Sequence, residues 1–466
     1  MTKALSLALG LPTLALLSGC NLAPAYHVPA SAAAPAQFKA DPGWQVAMPA
    51  DDVAKGQWWK LFGDSVLDGL EARVAVTNQN VAQYRAAYEQ ARGLVKQDRA
   101  ALFPSVSASA GATRGSTFAA GTPASSTFTG EVAASWSVDL WGKLGNTVRQ
   151  AKAEAQASAA DLANATLSAQ GELAADYFAL RGIDAQKAML DETIAAYERS
   201  LTITKNKYAV GTASSADVDT AQSNLSTALA SRRDLDRQRT AYEDAIAVLL
   251  GENPSAFRLA AAPWAPGLPE VPSVLPADVL QRRPDIASAE RAVAAANANI
   301  GIQRAAFFPS LTLAPYAETS AGSMNQLFAA STSLWSLGAS SALTLLDFGA
   351  RSAQVKQARA AYDKAVAAYR LAALQAFQQV EDDLSALSAY RAEQAHYATA
   401  AAAANRAEAV ARNEYAAGTV DYTTVTTAQA TAYTARVSLI NNTVNQQTAA
   451  VSLIEAIGGH WDTAAR

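Results

Sequence analysis

The feature of the sequence that most constrains the fold is an internal duplication. The run ALFPSVS that begins at Ala101 recurs as AFFPSLT beginning at Ala306, an offset of 306 − 101 = 205 residues. The run YAVGT that begins at Tyr208 recurs as YAAGT beginning at Tyr415, an offset of 415 − 208 = 207 residues. The two halves are therefore predicted to have the same order of helices and strands. Chain length alone suggests about three domains, but the repeat predicts a duplicated fold instead.

The periodicity of apolar residues changes in the same order within each half. Alanine-rich stretches at 64–102 and 286–307 predict helices, which end at Phe-Pro-Ser because the residue before proline is disfavoured in helical backbone. Alternating apolar and polar residues then predict four strands, each at least as long as the roughly 9 to 11 residues that cross a bilayer. The predicted strands are Ser105–Thr117, Thr127–Asp139, Ser310–Ser320 and Thr332–Leu345.

A helical period returns after each predicted hairpin and persists over the proline-free stretches 142–210 and 349–417. The three-four spacing of apolar residues in the second stretch is typical of a coiled coil. Gly211 and Gly418 end these helices, and return helices are predicted at 216–250 and 421–457. The predicted organisation is a signal peptide (1–19), an extended tether (20–63), a first repeat (64–250) with a hairpin at 105–139, an irregular connector (251–284), a second repeat (285–457) with a hairpin at 310–345, and a C-terminal tail (458–466).

The single cysteine of the chain follows a sequence typical of a lipoprotein signal. Lys3 gives a positive start, residues 4–17 form an apolar stretch, and two small residues precede Cys20. This pattern predicts that Cys20 becomes the lipidated first residue of the mature protein, and the following Asn21, rather than an aspartate, favours the outer membrane. An ordinary signal peptide with an incidental cysteine is the alternative. A single cysteine also excludes a disulfide within the chain.

Composition argues against several classes of function. Charged residues make up 17% of the chain, the formal net charge is −4 and no basic patch is present, so we expect no nucleic-acid partner. The three histidines, His27, His396 and His460, are far apart in sequence, and no metal-binding spacing, phosphate-binding loop or nucleophile elbow occurs. We therefore expect no enzymatic activity, no catalytic residues, no metal and no cofactor.

Four strands are too few to close a barrel, and lipid offers no partner to the edge groups of an open sheet. Strands from several copies must therefore form one wall if the predicted strands cross a membrane. Eight strands from a dimer would leave an interior filled by side chains, whereas twelve from a trimer begin to leave a channel. Polar residues at alternate strand positions favour a water-filled lumen, and a homotrimer is the smallest assembly that provides one.

Several motifs resemble those of outer-membrane efflux proteins of the TolC and OprM type, in particular their lipoprotein branch. They are the cysteine signal, WWKLFGD beginning at Trp58, RPDI beginning at Arg283, both Phe-Pro-Ser junctions and both Tyr-x-x-Gly-Thr breaks. The resemblance spans nearly all of the mature chain. It implies a mostly α-helical protein with transmembrane β-structure: a trimeric, twelve-stranded outer-membrane β-barrel continuous with a long α-helical coiled-coil barrel in the periplasm.

The same resemblance implies a passive conduit in the outer membrane of a Gram-negative cell. It would belong to a tripartite pump that exports drugs or other toxic small molecules, with a periplasmic adaptor (membrane fusion) protein and an inner-membrane efflux transporter of the RND type as partners. An acyl chain on Cys20 would anchor it in outer-membrane lipid. Two alternatives stay open: a lipid-anchored periplasmic coiled-coil structural protein, and the exit duct of a type I protein secretion system.

The residues that the resemblance assigns to function lie at the two helix breaks. Asp421 matches a position whose carboxylates ring the closed periplasmic mouth, and Tyr415 and Asp217 match a pair that ties neighbouring coils shut. Helix capping is the alternative for both aspartates. A second tie of TolC-like proteins is absent, since Val420 stands where those proteins have an arginine. The tips that would contact the adaptor are Val210, Gly211, Thr212, Ala417, Gly418 and Thr419.

Overall fold

The computed structural model describes residues 21–30, 57–116, 123–262, 264, 267–269 and 282–459. The predicted signal peptide, Cys20 and most of the predicted tether lie outside these residues. The helices are α1 (Ser65–Thr77), α2 (Gln79–Ala100), α3 (Lys143–Ala209), α4 (Ser215–Leu249), α5 (Pro284–Ala305), α6 (Ala350–Ala417) and α7 (Tyr422–Ala456). The strands are β1 (Ser105–Gly115), β2 (Ser125–Val138), β3 (Ser310–Ala321) and β4 (Ser333–Ala342). Within the described ranges, none of the helices combines the length and the apolar character that crossing a membrane requires.

Most of the predicted helices and strands are confirmed to within a few residues, and two predictions need correction. The predicted helix at 64–102 is divided into α1 and α2 at Asn78, whose backbone is extended and whose Oδ1 accepts a hydrogen bond from Val81 N at 3.0 Å. Asparagine favours such a break because its side chain competes for backbone hydrogen bonds. The last strand ends at Ala342 rather than Leu345, because its partner β3 begins at Ser310 and offers no further residues to pair with.

The four strands form one antiparallel sheet in the order β1-β2-β3-β4, so the two hairpins of the repeat pair through β2 and β3. One row across the sheet is apolar and the next is mostly polar. The apolar row is Ala108, Val132, Ala317 and Trp335, and the neighbouring row is Ser109, Glu131, Glu318 and Leu334. Successive residues of a strand point to opposite faces, so this register gives the sheet one apolar and one more polar face.

Each half turns from sheet to helix at an aspartate that is followed by a glycine with left-handed backbone. Asp139 accepts hydrogen bonds from two backbone N–H groups at the start of α3, at 3.1 and 2.7 Å. Asp347 does the same at the start of α6, at 3.1 and 3.2 Å. Gly142 and Gly349 have φ angles of 69° and 91°. The two carboxylates therefore set where the long helices begin.

The described chain forms two compact units, each assembled from both halves of the repeat. The first unit comprises the described residues within Met1–Ala30, Ala86–Ala159 and Ser288–Arg370. The second unit comprises the described residues within Ser31–Arg85, Ala160–Ala287 and Leu371–Arg466. The first contains the β-sheet, and the second contains the ends of the long helices and both return helices.

Residues Asn21–Ala30, which we call the N-terminal strap, lie along α5 within the first unit. Side chains of α5 hold the strap at three of its residues: Arg304 donates to the Leu22 carbonyl (3.2 Å), Asn297 donates to the Pro24 carbonyl (2.9 Å), and the Glu290 carboxylate accepts a hydrogen bond from the Tyr26 hydroxyl. Later residues of the strap contact earlier residues of α5, so the two segments run in opposite directions. The strap therefore begins at the end of α5 that leads into β3.

The tryptophan motif fixes α1 within the second unit. Trp58 and Phe62 are buried in a short 3-10 turn, and the ring centroid of Phe62 lies 4.8 Å from that of Phe178 on α3. Asp64 caps α1 through the backbone N–H groups of its first turn, and its other carboxylate oxygen accepts a hydrogen bond from the Tyr177 hydroxyl at 2.6 Å. Aromatic packing and a capping carboxylate thus join α1 to α3.

Glu71 of α1 is an unusual buried group in the second unit. Its side chain is 0% exposed, and neither carboxyl oxygen has a hydrogen-bond partner among the described residues. Burial, followed by the charge of Glu455 on α7, raises the pKa of Glu71 to about 9. Burial, followed by the charge of Asp383, raises the pKa of Glu455 to about 7, while Arg283 opposes and Glu172 adds to the increase. Glu71 is therefore a neutral acid at neutral pH.

We expect rising pH to destabilise the fold through this pair. The folded protein binds the Glu71 proton more tightly than the unfolded chain does, so the free energy of unfolding falls as pH rises between about 4.5 and about 9. Glu71→Leu removes the titrating group and should raise the free energy of unfolding at about pH 8 by about 2–4 kcal/mol. Urea unfolding in detergent, followed by circular dichroism at about pH 5 and about pH 8, measures the difference.

Two further variants separate protonation from packing. Glu71→Gln should also reduce the pH dependence, but with a smaller gain in stability, because its buried amide would lack partners. Glu198→Gln, at an exposed position of α3, is the control and should leave the pH dependence as in the wild type. If both Glu71 variants kept the wild-type pH dependence, the buried acid would not be its source.

Candidate functional site at the helical hairpin tips

The long helices α3 and α6 end in the same backbone motif. Gly211 and Gly418 adopt left-handed backbone with φ angles of 78° and 83°. The N–H groups of Thr212 and Thr419 donate to the carbonyl five residues earlier, at 2.8 and 3.0 Å, and the two threonine hydroxyls bind the same carbonyls at 3.0 Å. This is a Schellman motif, which favours glycine because a Cβ disfavours positive φ. The repeated Gly-Thr pair is thus explained by helix termination.

The return helices α4 and α7 begin with equivalent caps. Ser214 Oγ accepts a hydrogen bond from Asp217 N at 3.1 Å, and Asp217 Oδ2 accepts one from Ser214 N at 2.9 Å, which completes a capping box. Asp421 caps α7 by accepting hydrogen bonds from the backbone N–H of Thr424 at 2.9 Å and from its hydroxyl at 2.8 Å. The capping roles considered for both aspartates are therefore confirmed.

Capping leaves the Asp421 carboxylate accessible and charged. The residue is exposed, and both hydrogen bonds from Thr424 use Oδ1, so Oδ2 stays available for another interaction. The bonds from the Thr424 backbone and side chain lower the pKa of Asp421, because they stabilise the ionised form. One side chain can therefore both cap the helix and present a negative charge at the tip.

Tyr415 is buried among the helices next to the tip. Its hydroxyl lies 3.0 Å from Thr204 Oγ1, and Thr204 donates its own hydrogen to the Ser200 carbonyl at 2.9 Å. Tyr415 is therefore the donor to Thr204. The Lys207 ammonium lies 4.1 Å from the centre of the Tyr415 ring and donates to the Tyr415 carbonyl, and the ring centroid of Tyr422 lies 5.3 Å away. These contacts tie the end of α6 to α3.

The structure does not pair Tyr415 with Asp217 within the described part of one copy. Their hydrogen bonds go to Thr204 and to Ser214 instead. The tie between neighbouring coils and the ring of Asp421 side chains both involve further copies, so they stay predictions. All six predicted docking residues are exposed, and a Cβ at either tip glycine would meet no heavy atom within 4 Å.

Sequence reasoning missed three side chains at the tips: Ser214, Thr204 and Lys207. Ser214 could have been found from the repeat, since 214 + 207 = 421 aligns it with the cap of α7. Thr204 and Lys207 have no such signal, because their contacts depend on how α3 and α6 are rotated against each other. Asp139 and Asp347, at the sheet-to-helix turns, were recoverable too, since 347 − 139 = 208 lies close to the repeat offset.

We expect Tyr415→Phe to lower the free energy of unfolding by about 1 kcal/mol, because it removes the hydrogen bond to Thr204. Thr204→Val removes the same bond, so the double variant should lose less than the sum of the single losses. Asp217→Asn should combine additively with Tyr415→Phe. Urea unfolding of the detergent-solubilised assembly supplies all of these values. Strong coupling between Tyr415 and Asp217, with none to Thr204, would instead show the predicted tie between coils.

Comparisons with known proteins agree with this architecture. The sequence profile of a family described as outer membrane efflux protein matches residues 72–252 and again residues 275–459, one stretch in each half of the duplication. The chain is 30% identical over 475 residues to the toluene efflux pump outer membrane protein TtgC of Pseudomonas putida, covering 99% of this chain and 96% of TtgC. It is 29% identical over 463 residues to the pyoverdine export outer membrane protein OpmQ of Pseudomonas aeruginosa, covering 96% and 95%.

Solved structures show the same fold. The outer-membrane channel OprN superposes with a TM-score of 0.84 at 25% identity, covering 95% of this chain and 100% of that one. The open state of the Neisseria gonorrhoeae MtrE outer membrane channel gives a TM-score of 0.82 at 24% identity, covering 96% and 100%. The combination of long helices and a four-stranded sheet predicted from the sequence is confirmed. The chain belongs to the outer membrane efflux protein family.

Proposed function

We propose that three copies of this chain form the outer-membrane duct of a tripartite pump that exports small molecules. The register of the sheet carries the proposal, because it sets an apolar row beside a polar row while β1 and β4 each pair on one side only within the described copy. In lipid every backbone group needs a partner, so these edges require neighbouring copies. Three copies supply twelve strands, enough to enclose a lumen.

Exposure of the apolar face supports placing it against lipid. Val106 is 72% exposed, Leu337 is 69% exposed and Trp335 is 81% exposed in a single copy. Large apolar side chains at such exposure in water would favour aggregation, whereas facing lipid they lower the free energy of the assembly. The polar face would then line the path of the exported molecule.

The partners follow from the need for an energy source. A duct of this kind does no chemical work, so an inner-membrane transporter, of the RND type in our proposal, would drive export through a periplasmic adaptor protein. The relatives that support this are named as outer membrane proteins of a toluene efflux pump and of pyoverdine export.

We further propose that an acyl chain on Cys20 anchors the duct. Cys20 lies outside the described residues, but Asn21 begins the strap at the end of α5 that leads into β3. An acyl chain at that position could enter the periplasmic leaflet of the membrane, next to the end of the sheet where β3 begins. The intact mass of the mature protein checks this, since an unmodified Cys20 would exclude the anchor.

The gate of the duct would lie at the tips, where Asp421, Asp217 and Tyr415 are found. Three Asp421 carboxylates around a narrow axis would attract cations and repel one another. The geometry supports this because Asp421 is exposed, is ionised and keeps Oδ2 free after capping α7. Tyr415 and Asp217 would join neighbouring coils only if one of them exchanged its present partner.

Single-channel recording in planar bilayers tests the conduit and the gate together. We expect discrete currents from detergent-extracted wild-type trimers and none from heat-dissociated monomers. Asp421→Asn should increase the frequency or size of openings and reduce cation selectivity, because it removes the charge while its side-chain oxygen can still cap α7. Trimers that never conduct would overturn the proposed duct.

Two further variants show whether a change in the recordings comes from the lost charge of Asp421, from the lost helix cap or from neither. Asp421→Ala removes both the charge and the cap, so an effect seen in this variant but not in Asp421→Asn would assign the change to a frayed helix. Asp219→Asn removes an exposed carboxylate near the other tip and should leave the traces unchanged. Equal traces for the wild type and Asp421→Asn would place the gate elsewhere.

The tip glycines would allow the adaptor backbone to approach closely, because the space where a Cβ would stand is open at both. Gly211→Asn combined with Gly418→Asn adds side chains there, and asparagine tolerates the left-handed backbone. We expect crosslinking to the adaptor to fall about tenfold, which corresponds to about 1.4 kcal/mol, together with a loss of drug resistance. Ala402→Asn, on the exposed side of α6, is the control. Normal crosslinking in a folded double variant would reject docking at these glycines.

A further inference from the structure

A cavity of about 470 Å³ lies in the first unit between the N-terminal strap and the facing parts of α3 and α5. Its lining includes two cationic side chains of α3, Arg149 and Lys152, and no carboxylate. Neither cation forms an ion pair with any residue in the described ranges, and both are exposed. The cavity is therefore electropositive without a protein counter-charge, which suits an anionic ligand.

A buried amide in the same cavity lacks a partner. Asn146 lines the cavity and is 0% exposed, yet its Nδ2 has no hydrogen-bond partner among the described residues. Arg149 Nη1 donates to Asn146 Oδ1 at 2.8 Å, which fixes the orientation of the amide and leaves the N–H groups unused. A Cβ at Gly301 would lie 2.5 Å from this amide nitrogen and 2.7 Å from the Cβ of Ala23, so the glycine makes room for the amide and for the strap. An unused buried donor is costly, and a ligand acceptor would satisfy it.

The three donors are neighbours on the surface of α3. Asn146, Arg149 and Lys152 are spaced three residues apart, so each lies next to the following one, and the series runs from the buried amide to the exposed cations. Asn297 also lines the cavity, but its Nδ2 already donates to the Pro24 carbonyl at 2.9 Å and fixes the strap instead. The free donors are thus one amide, one guanidinium and one ammonium group. An oxyanion with several acceptor oxygens matches this set.

The location of the cavity relative to the sheet favours a lipid as the source of the anion. Trp141 stacks on Phe308 with ring centroids 4.7 Å apart, and it marks the turn between β2 and α3. Arg149 lies six residues into α3, about 9 Å beyond the helix start. A headgroup layer is about 5–7 Å thick on each side of the hydrocarbon. Lys152 lies nine residues into α3, about 14 Å beyond the helix start. The backbone of both residues is therefore beyond the headgroup layer, but long side chains on a helix point back toward its N-terminus. If β2 crosses the bilayer, as the proposed function requires, the two cationic side chains extend back toward the phosphates of the periplasmic leaflet.

We propose that this cavity binds the phosphodiester of an anionic phospholipid headgroup, with Asn146, Arg149 and Lys152 as donors. The strap forms one wall, since Asn21 lines the cavity directly after the proposed acylated cysteine. A bound lipid would therefore hold the strap, the start of α3 and α5 together at the membrane surface. Inorganic phosphate presents the same oxyanion, and the experiment must distinguish the two sources.

Native mass spectrometry of the purified full-length protein in detergent tests the site. We would titrate short-chain phosphatidylglycerol, short-chain phosphatidylcholine and inorganic phosphate in parallel. The wild type should bind phosphatidylglycerol more tightly than phosphatidylcholine. Arg149→Gln combined with Lys152→Gln should weaken phosphatidylglycerol binding by about 25-fold, at about fivefold for each cation removed near an anionic headgroup. Lys96→Gln combined with Arg99→Gln makes the same charge change on exposed positions of α2 and should leave binding unchanged.

Three outcomes would overturn the proposal. Equal retention of phosphatidylglycerol by the cavity variant and the α2 control would show that no lipid uses these donors. Inorganic phosphate that binds as tightly as phosphatidylglycerol would make the cavity a site for free anions. No preference for phosphatidylglycerol over phosphatidylcholine would exclude recognition of an anionic headgroup.

Conductance measured on the same preparations separates this inference from the proposed function. A cavity variant that conducts normally but loses lipid supports the lipid site in an intact duct. A wild type that binds lipid but never conducts overturns the duct and leaves the binding result in place.

Asn146→Ala removes the unpartnered amide without altering the charge of the cavity. It should weaken phosphatidylglycerol binding less than the loss of both cations does. Unchanged binding would show that Asn146 is not part of the site.

Discussion

The structure depends on the hydrogen-bonding demand of an open four-stranded sheet. Within the described copy, β1 and β4 each use only one edge, and the register separates an apolar row from a polar row. A slip of one residue would exchange the two rows, so the register must be specified strongly. The turns at Asp139 and Asp347 contribute, because each carboxylate fixes the first turn of the long helix that follows its hairpin. Strand pairing and helix starts are therefore set by the same short segments, once in each repeat.

The long helices must also be aligned along their axes, because small alanine side chains allow packed helices to shift lengthwise. Between α6 and α7, buried amide side chains fix this alignment. Asn442 donates to Gln394 Oε1 at 2.7 Å and to the Tyr390 carbonyl at 3.0 Å, and Gln446 donates to the same Gln394 oxygen at 2.9 Å. Polar side chains in a helical seam cost stability but permit only one alignment. That alignment sets the height at which the tip of the α6–α7 hairpin ends, which matters wherever several tips must meet.

The repeat predicted most of the fold because the apolar period and the proline and glycine breaks are local signals. The sequence did not predict the break between α1 and α2 at Asn78, because asparagine is only weakly unfavourable inside a helix. Glu71 was recoverable as a buried residue: it shares the helical face of Leu67, Leu70 and Val74 at the spacing of a core. Its partner Glu455 was not, because that contact depends on how closely α7 approaches. Thr204 has no signal in the sequence for the same reason. Asp217 and Asp421 were singled out by the family resemblance, and their capping role could be considered beside it because a helix cap depends on residues that are close in sequence.

The two tips show where a duplicated fold can diverge at little cost. Both need a left-handed glycine, a threonine and a helix cap, and the backbone of each tip is accordingly the same. The cap accepts either a neutral hydroxyl or a carboxylate, and the first half has Ser214 where the second has Asp421. Serine and aspartate cap almost equally well, so this exchange leaves folding nearly unchanged while adding a charge. A trimer would then alternate three serine N-caps with three aspartate N-caps around its mouth. The first tip keeps the Asp217 carboxylate in its capping box, so the two kinds of hairpin would differ in where the negative charge lies: at the third residue of the helix in one and at the N-cap itself in the other.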